Sequence, residues 1–230
     1  MIVSVHLADV GGRATLRVLR RRPDPTDMPG LRYADTVIAA PLGGGLLPVP
    51  QFGRVGLVAA WDDDQALDAF LESHPVAELL APGWHVRLEP LRASGAWSAL
   101  PDLPEHELPV DDDEPVAVLT LGRLRFRRVA WFLRTSASAE EQAVADAGLL
   151  AATGLARPPG LVATFSLWRT ADSMRAYAYG RSGAGHLAAI RAHRGRPFHH
   201  ESVFARFRPY GSQGQWDGRN PLVTEPVTAT

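Results

Sequence analysis

One pattern in this sequence occurs twice, and the repeat constrains the fold more than any other feature. Gly53-Arg-Val-Gly-Leu-Val-Ala-Ala-Trp61 in the first half has a counterpart, Gly160-Leu-Val-Ala-Thr-Phe-Ser-Leu-Trp168, at an offset of 107. Further along, Gly95-Ala-Trp97 matches Gly214-Gln-Trp216 at an offset of 119, so the second copy is twelve residues longer between these anchors. The longer stretch carries four histidines: His186, His193, His199 and His200. The repeat predicts a symmetric scaffold in which one copy has gained a functional pocket.

Alternation of apolar and polar residues predicts the strands of the first half. The segments are residues 2–10, Leu31–Ala40, Val55–Trp61 and Val86–Glu89. After the third of these, Asp62 or Asp63 is expected to cap a helix that turns Leu67, Phe70 and Leu71 inward. Pro23, Pro25 and Pro29 make residues 23–30 irregular, because proline lacks the amide donor and restricts the residue before it.

The second half predicts a similar order of elements. Strands are expected at Val116–Leu121, Leu161–Trp168 and Ser202–Arg208. Ser138 and Glu141 have capping-box spacing and predict a helix that runs to about Leu150 and has ended by Gly154. Thr170 is expected to cap a helix bearing Met174 and Tyr177. A further helix places His186, Ile190 and His193 on one face by their i, i+4, i+7 spacing.

Each half therefore reads β-(α)-β-α-β, although the first copy has only its proline-broken segment where the second has the helix after Ser138. This order predicts an α+β fold in which two tandem ferredoxin-like units are fused into an intramolecular dimeric α+β barrel. The expected boundaries are residues 1–100 for the first unit and 116–222 for the second. An acidic, proline-rich linker at 101–115 joins them, and 223–230 is expected to be a disordered tail.

Composition excludes several classes of function. The chain has 24 basic and 25 acidic residues, which gives no reason to expect a nucleic-acid partner. It has no cysteine, so disulfides, a haem thiolate ligand, and cysteine-bound zinc or iron–sulfur clusters are excluded. No apolar stretch is long enough for an integral membrane segment, and the N-terminus has no signal-peptide pattern. We expect a cytoplasmic protein, which is peripheral to a membrane only when it handles an apolar substrate.

Two groups of residues have the chemistry of metal ligands. Neutral imidazole is an axial ligand for haem iron, and His186 lies in the stretch specific to the second copy, with Arg191 and Arg194 near enough in sequence to pair with propionates. A lone helical histidine is, however, more often a structural or surface residue. His199-His200-Glu201 contains the ingredients of a non-haem iron site. Adjacent residues of a strand point to opposite faces, so these two histidines are poorly placed to bind one ion.

Arginine and aromatic residues offer further candidates. Arg87 and Arg206 match at the offset of 119, each on the polar side of its strand. If those sides face into the barrel, the arginines meet a ligand; if they face outward, they are solvent residues. Tyr177 belongs to an aromatic set in the second half that either fills the core or lines an apolar pocket.

The second half also resembles the C-terminal half of the spheroidene monooxygenases, the acyclic carotenoid 2-ketolases. The resemblance rests on five blocks: Ala163–Trp168, Met174–Tyr179, His186–Arg191, Glu201–Phe207 and Gly214–Leu222. The first half is similar more loosely, through Val55–Trp61, Phe70-Leu71, Leu88–Arg92 and Gly95–Trp97. The chain departs from the family at Gly180–Gly185, which is longer and richer in glycine, and at Pro197–His200.

The resemblance implies a monooxygenase that inserts oxygen from O2 into an apolar, carotenoid-like or other polyene substrate. It implies haem b as cofactor, with His186 as the iron ligand. Arg191 would contact a propionate, and Arg206 and Tyr177 are the candidate catalytic residues. The electron donor is unknown, and a homodimer is left open. Two alternatives remain open: a cofactor-free oxygenase or other enzyme of the same barrel type, and a non-catalytic protein that binds an apolar ligand.

Overall fold

The computed structural model describes residues 1–42, 51–124, 146–179 and 199–223. The strands in these ranges are β1 (Ile2–Asp9), β2 (Leu31–Ala40), β3 (Arg54–Trp61), β4 (Trp84–Ala96), β5 (Val116–Leu124), β6 (Leu149–Arg157), β7 (Leu161–Trp168) and β8 (His199–Gly214). The helices are α1 (Gly11–Arg20), α2 (Asp64–Ser73), α3 (Pro75–Leu80) and α4 (Ala171–Tyr179). None of these helices is both long and apolar enough to cross a membrane.

The described strands close into one antiparallel barrel, in the order β1-β3-β2-β6-β7-β5-β8-β4. Read from its fourth strand, the first half has the spatial order β4-β1-β3-β2, and the second half has the equivalent order β8-β5-β7-β6. This is the strand order of a ferredoxin-like sheet, produced twice. The prediction of two ferredoxin-like units fused into a single α+β barrel is therefore confirmed.

Two seams join the halves, and they differ in length. Strand β4 pairs with β8 along nearly its whole length, from Trp84 opposite Gly214 to Ala96 opposite Ser202. Strand β2 pairs with β6 only over Ile38–Ala40. Closure removes free sheet edges, so the barrel is complete within one chain.

The barrel interior is a packed core. Alternate residues of each strand point inward, as Val3, Val5 and Leu7 do in β1. The largest interior side chains are aromatic: Tyr33, Trp84, Trp97, Phe165, Phe207 and Trp216. Because small barrels are filled by their own side chains, the interior is not the site of a large ligand.

Helices cover the outside of the first sheet. The Asp63 carboxylate caps α2 by accepting a hydrogen bond from the Ala66 amide at 3.0 Å, as the sequence predicted. Leu67 and Phe70 of this helix are fully buried. They pack on the outward residues of β3, including Leu57 and Trp61, in a second core. The first half is therefore tightly closed on both faces of its sheet.

Two predicted features were wrong. The first half does contain a helix before β2, namely α1. It was hidden because Val10 provides no side-chain cap and because Gly11, with a positive φ of 73°, and Gly12 stand at its start. In the second half, Leu149–Gly154 is not the end of a helix but belongs to strand β6. Its leucine and alanine residues favour a helix locally, and pairing with β7 on one side and β2 on the other overrides that preference.

The connection from β4 to β5 closes one end of the barrel. Trp97, Leu100 and Leu103 turn into the interior cluster. Beyond them the chain lies along β4, and the Leu108 amide donates to the Leu91 carbonyl at 2.9 Å. The tail after Val223 lies outside the described residues, as does the predicted start of a helix at Ser138.

Two histidines lie beneath α2 on the outer face of the first sheet, His6 buried and His85 half-buried. The rings of His6 and His85 stack at 5.2 Å between centroids, and Phe70 meets the His6 ring edge-on at 5.9 Å. Burial lowers the pKa of His6 well below its usual value, and the neighbouring His85 and Arg87 lower it further. Burial and Arg87 also lower the pKa of His85. Both imidazoles therefore resist protonation in the folded protein.

We expect the free energy of unfolding to fall as the pH drops below about 6.5, the ordinary pKa of histidine. The unfolded chain then binds protons that the folded chain resists, at a cost of up to about 1.4 kcal/mol per pH unit for each histidine. Urea unfolding at several pH values between 7.5 and 5.5 measures this. His6→Leu should reduce the slope, whereas His106→Leu, at an exposed position, should not. An unchanged slope in His6→Leu would assign the pH dependence to other groups.

Candidate functional site on the second sheet

The outer face of the second sheet carries two rows of residues, most of which have small side chains. In the first row, Gly154, Thr164, Thr120 and Phe204 lie directly opposite one another across β6, β7, β5 and β8. In the next row, the residues are Ala156, Val162, Gly122 and Ser202. We call these eight residues the open face. Four adjacent strands span about 14 Å, so the open face is a broad, shallow surface.

The first sheet has larger side chains at the matching positions. The offset of 107 aligns Leu57 with Thr164, and strand pairing then fixes their neighbours. The row through Leu57 consists of Thr36, Leu57, His6 and His85. The second copy has Gly154, Thr164, Thr120 and Phe204 in these places. The three positions on β6, β7 and β5 have thus become smaller in the second half.

The open face is also less buried than its counterpart. Thr36 and Leu57 are fully buried under the helices of the first half, whereas Gly154 and Thr164 are only half-buried. Within the described ranges the helix that packs on the second sheet is α4, and its cluster reaches Val116, Val118 and Trp168 but not the open face. The two halves share one barrel, but among the described residues the second sheet is covered less completely than the first.

Tyr177 lies at the edge of this surface as part of the α4 core. Its ring stacks on Trp168 with 4.9 Å between centroids, and it is buried with Met174 and Val118. The Thr170 hydroxyl caps α4 by accepting from the Ser173 amide at 3.0 Å, as predicted. Of the two readings left open for Tyr177, the structure supports core packing, at the border of the open face.

Arg206 lies on the outer side of β8, as its counterpart Arg87 does on β4. Both arginines therefore point away from the barrel interior. Arg87 pairs with Asp64 and Asp68 of α2 at 2.5 Å each. Arg206 pairs with Glu107 at 2.9 Å and has 12% of its side chain exposed. It stands beside Val118 in the row adjoining the open face.

His186 and Arg191 lie outside the described residues, as do His193 and Arg194. The chain leaves the described part at the end of α4 and returns at His199, the first residue of β8. Both points adjoin the second sheet, since α4 packs on Val118 and β8 pairs with β5. The predictions for these four residues remain predictions.

The His199-His200-Glu201 cluster shows no metal geometry in the described part of the chain, where no group of three or more potential ligands is assembled. The Glu201 carboxylate is already bound. Arg123 donates to it at 3.0 Å, and the Ser98 amide makes a second hydrogen bond. These bonds lower the pKa of Glu201 against the opposing effect of burial. Glu201 therefore joins β8 to the connection after β4.

The duplication also relates the two ends of the barrel. Here too, the second half has the smaller side chains. At one end the Tyr33 ring meets Trp97 edge-on at 6.3 Å, and its hydroxyl donates to the buried Asp35 at 2.6 Å. Burial raises the pKa of Tyr33, and the Asp35 carboxylate raises it further. Arg22 and Arg157 lie 3.4 and 3.7 Å from Asp35. Aromatic side chains therefore fill this end of the barrel, and the Asp35 carboxylate is paired with arginine.

At the opposite end, Ala151 and Thr153 occupy the positions of Tyr33 and Asp35. This correspondence follows from strand pairing, because Tyr33 lies opposite Ala60 and Ala151 lies opposite Leu167, 107 residues later. With the tyrosine replaced by alanine, a cavity of about 370 Å³ remains. Its lining includes Leu42, Gln51, Arg54, Ala151, Thr153 and Trp216. The guanidinium of Arg54 is held by Asp9 and Asp217 at 2.8 and 2.6 Å.

Comparison with known proteins identifies relatives across the whole barrel. No family model matches the chain. The spheroidene monooxygenase of Rhodobacter capsulatus is 30% identical over 90% of this chain and 87% of its own length. The chain belongs to the spheroidene monooxygenase family. A second spheroidene monooxygenase, from Rubrivivax gelatinosus, is 33% identical over 83% of this chain and 73% of its own length.

Membership of the spheroidene monooxygenase family makes this protein an oxidoreductase of the monooxygenase class. Among solved structures, the aldoxime dehydratase OxdRE in complex with butyraldoxime is similar, with a TM-score of 0.53 and 10% identity. That alignment covers 91% of this chain and 79% of the dehydratase. At this identity the likeness concerns the fold alone.

The sequence contained part of the signal for the open face. Aligning the two copies at the offset of 107 shows Thr164 in place of Leu57, a polar residue where the first copy has an apolar one. Gly154 and Thr120 could not be found in this way, because β6 was not predicted and the β1–β5 correspondence depends on pairing. The sequence therefore predicted histidines and arginines as candidate site residues, but not the small residues of the open face.

Proposed function

We propose that this protein is a haem-dependent monooxygenase that inserts an oxygen atom from O2 into a carotenoid-like polyene. The observation that carries the haem proposal is the open face, where three adjacent strands carry smaller side chains than the buried residues at the matching positions of the first half. Its relatives are named spheroidene monooxygenases, which supports an acyclic carotenoid as substrate.

The residues of the open face suit a flat, largely apolar cofactor. Gly154, Thr164 and Thr120 place little more than backbone and methyl groups on the sheet surface, so a ring system can approach the strands closely. Larger side chains at these positions would fill that space, as Leu57 and His6 do in the first sheet. Arg206 at the border supplies a cation for an acidic substituent, in competition with Glu107.

In this proposal His186 provides neutral imidazole to the iron, and Arg191 pairs with a propionate. Bound haem would supply the activation of O2. The chain's own residues hold the cofactor against the sheet, and Tyr177 and Trp168 close one border of the site against water. One oxygen atom enters the substrate and the other leaves as water, with two electrons and two protons from an external donor.

A haem titration of the purified protein, followed by absorbance, tests the cofactor. The wild type should show a saturable Soret shift, and His186→Ala should lose it because the iron loses its ligand. His106→Ala is the matched control, since it removes an exposed histidine elsewhere, and it should bind haem like the wild type. A wild type that binds no haem, or a His186→Ala variant with unchanged binding, would contradict the proposal.

The substrate is tested separately. Haem-loaded protein supplied with a reductant and an acyclic carotenoid should give a product that gains mass when O2 is replaced by its heavy isotope. Heavy oxygen in the product of haem-free protein would favour the cofactor-free oxygenase instead. Binding of the carotenoid without any product, under conditions in which a related monooxygenase is active, would favour the non-catalytic ligand carrier.

A further inference from the structure

Helix α1 carries an unusual concentration of positive charge. Residues 10–22 contain five arginines and no acidic residue, in a chain whose formal net charge is −1. The arginines are Arg13, Arg17, Arg20, Arg21 and Arg22. Arg22 lies 3.4 Å from Asp35, whereas the other four form no ion pair with any described residue. Unpaired charge at this density is a surface suited to an anionic partner.

The charge is arranged along one side of the helix. Thr15 and Val18 are buried against the first sheet. Arg13, Leu16, Arg17 and Arg20 follow one another at helical spacing on the opposite side, and all four are exposed. We call these four residues the basic stripe. Leu16 keeps 54% of its surface exposed in the middle of the stripe.

A second exposed apolar side chain stands at the start of the helix. Phe52 is 80% exposed. It precedes Gly53, whose carbonyl accepts from the Val10 amide at 2.7 Å just before α1 begins. Phe52 also lies between Gln51 and Arg54 in sequence, and both of these line the 370 Å³ cavity. Phe52 therefore lies near the start of α1, the helix that carries the arginines, and next in sequence to residues that line the cavity.

We infer that the basic stripe of α1 docks the protein on an anionic lipid surface, with Leu16 and Phe52 entering the interfacial layer. Peripheral membrane surfaces typically combine cationic side chains with exposed leucine or phenylalanine. A nucleic acid or an acidic protein would use the arginines but gain little from Leu16. The inference rests on the proposed function only in its choice of lipid, the phase in which a carotenoid-like substrate dissolves.

Vesicle co-sedimentation tests the inference without haem or substrate, so its outcome is independent of the haem titration. The protein should bind vesicles of phosphatidylglycerol and phosphatidylcholine but not vesicles of phosphatidylcholine alone. Each arginine near such a surface contributes about fivefold to partitioning, so Arg13→Gln/Arg17→Gln should bind roughly 25-fold more weakly. Raising the salt from about 0.1 M to 1 M should release the wild type, because screening shortens the range of the attraction.

Matched variants separate docking from general electrostatics. Arg17→Gln should weaken binding about fivefold, whereas Arg169→Gln, an equal change of charge at an exposed position in the second half, should not. Leu16→Ser should lower partitioning at least about threefold without changing charge. All of these side chains are exposed, and unchanged thermal unfolding confirms that each variant is folded.

Several results would overturn the inference. Failure of the wild-type protein to co-sediment with anionic vesicles would rule out docking. If Arg17→Gln and Arg169→Gln weakened vesicle binding equally, the attraction would come from overall charge and not from the basic stripe. Binding to a DNA duplex as tight as to vesicles, with no effect of Leu16→Ser, would instead identify a polyanion site.

Discussion

Thr164→Trp is expected to raise the dissociation constant for haem at least tenfold, which corresponds to about 1.4 kcal/mol. Thr164 is at the centre of the open face, with Gly154 on one side and Thr120 on the other. An indole at this position occupies the space in which the proposed cofactor would approach the strands. The fold should tolerate the change, because residue 164 points away from the barrel interior and tryptophan is favoured in strands.

Thr164→Val is the matched control, since it keeps the branched shape and replaces only the hydroxyl group. Its haem affinity should stay within about fivefold of the wild type, because loss of one neutral hydrogen bond costs about 1 kcal/mol on a half-exposed surface. Absorbance titration measures both variants, and circular dichroism reports the fold. If folded Thr164→Trp bound haem as tightly as the wild type, the open face would not be the haem site.

Phe165→Ala is expected to lower the free energy of unfolding by about 3–5 kcal/mol, a large share of the stability of a domain. Phe165 neighbours Thr164 in sequence but points into the barrel, where it is fully buried against Trp84 and Trp216. The ring centroids are 6.2 and 6.3 Å away. Truncation leaves a cavity beside these two indoles, whose centroids already lie 5.3 Å from each other and which therefore have little freedom to move into it.

Urea unfolding of the wild type and the variant measures this loss. Phe52→Ala provides the comparison, because the same truncation at a side chain that is 80% exposed should change stability by less than about 0.5 kcal/mol. Similar losses for the two variants would mean that the interior is not tightly packed around Phe165. Together, Thr164→Trp and Phe165→Ala separate the roles of the two faces of β7.

Much of the fold could be predicted from sequence because the duplication supplies each strong signal twice. Strand β2 was predicted with the bounds observed, Leu31–Ala40, and β3 and β7 followed from the repeated segment ending in tryptophan. Strand β6 was missed because its residues alternate poorly. Its identity as a strand comes from pairing with β7 and β2, which the local sequence pattern does not reveal.

The candidate site was less predictable than the fold. Histidine and arginine are recognisable as candidate site residues from their chemistry alone. Of those predicted, Arg206 lies at the border of the open face. The surface itself consists mostly of glycine, alanine, serine and threonine, which carry no chemical signature, together with Val162 and Phe204. Their role becomes clear only from strand pairing, which places Gly154 and Thr120 beside Thr164. It also depends on comparison with the first sheet, where the matching positions hold Thr36, His6 and Leu57.

Fusion of the two halves has a consequence for how such a site can evolve. In a symmetric homodimer every substitution is made in both subunits, so enlarging one pocket also loosens the matching core of the other. Here the two copies are encoded separately. The first retains Leu57 and Tyr33 in full packing, while the second carries Thr164 and Ala151. One copy can thus lose stability through substitutions at a ligand site while the other keeps its packing, and the proposed haem site would occur once per chain instead of twice.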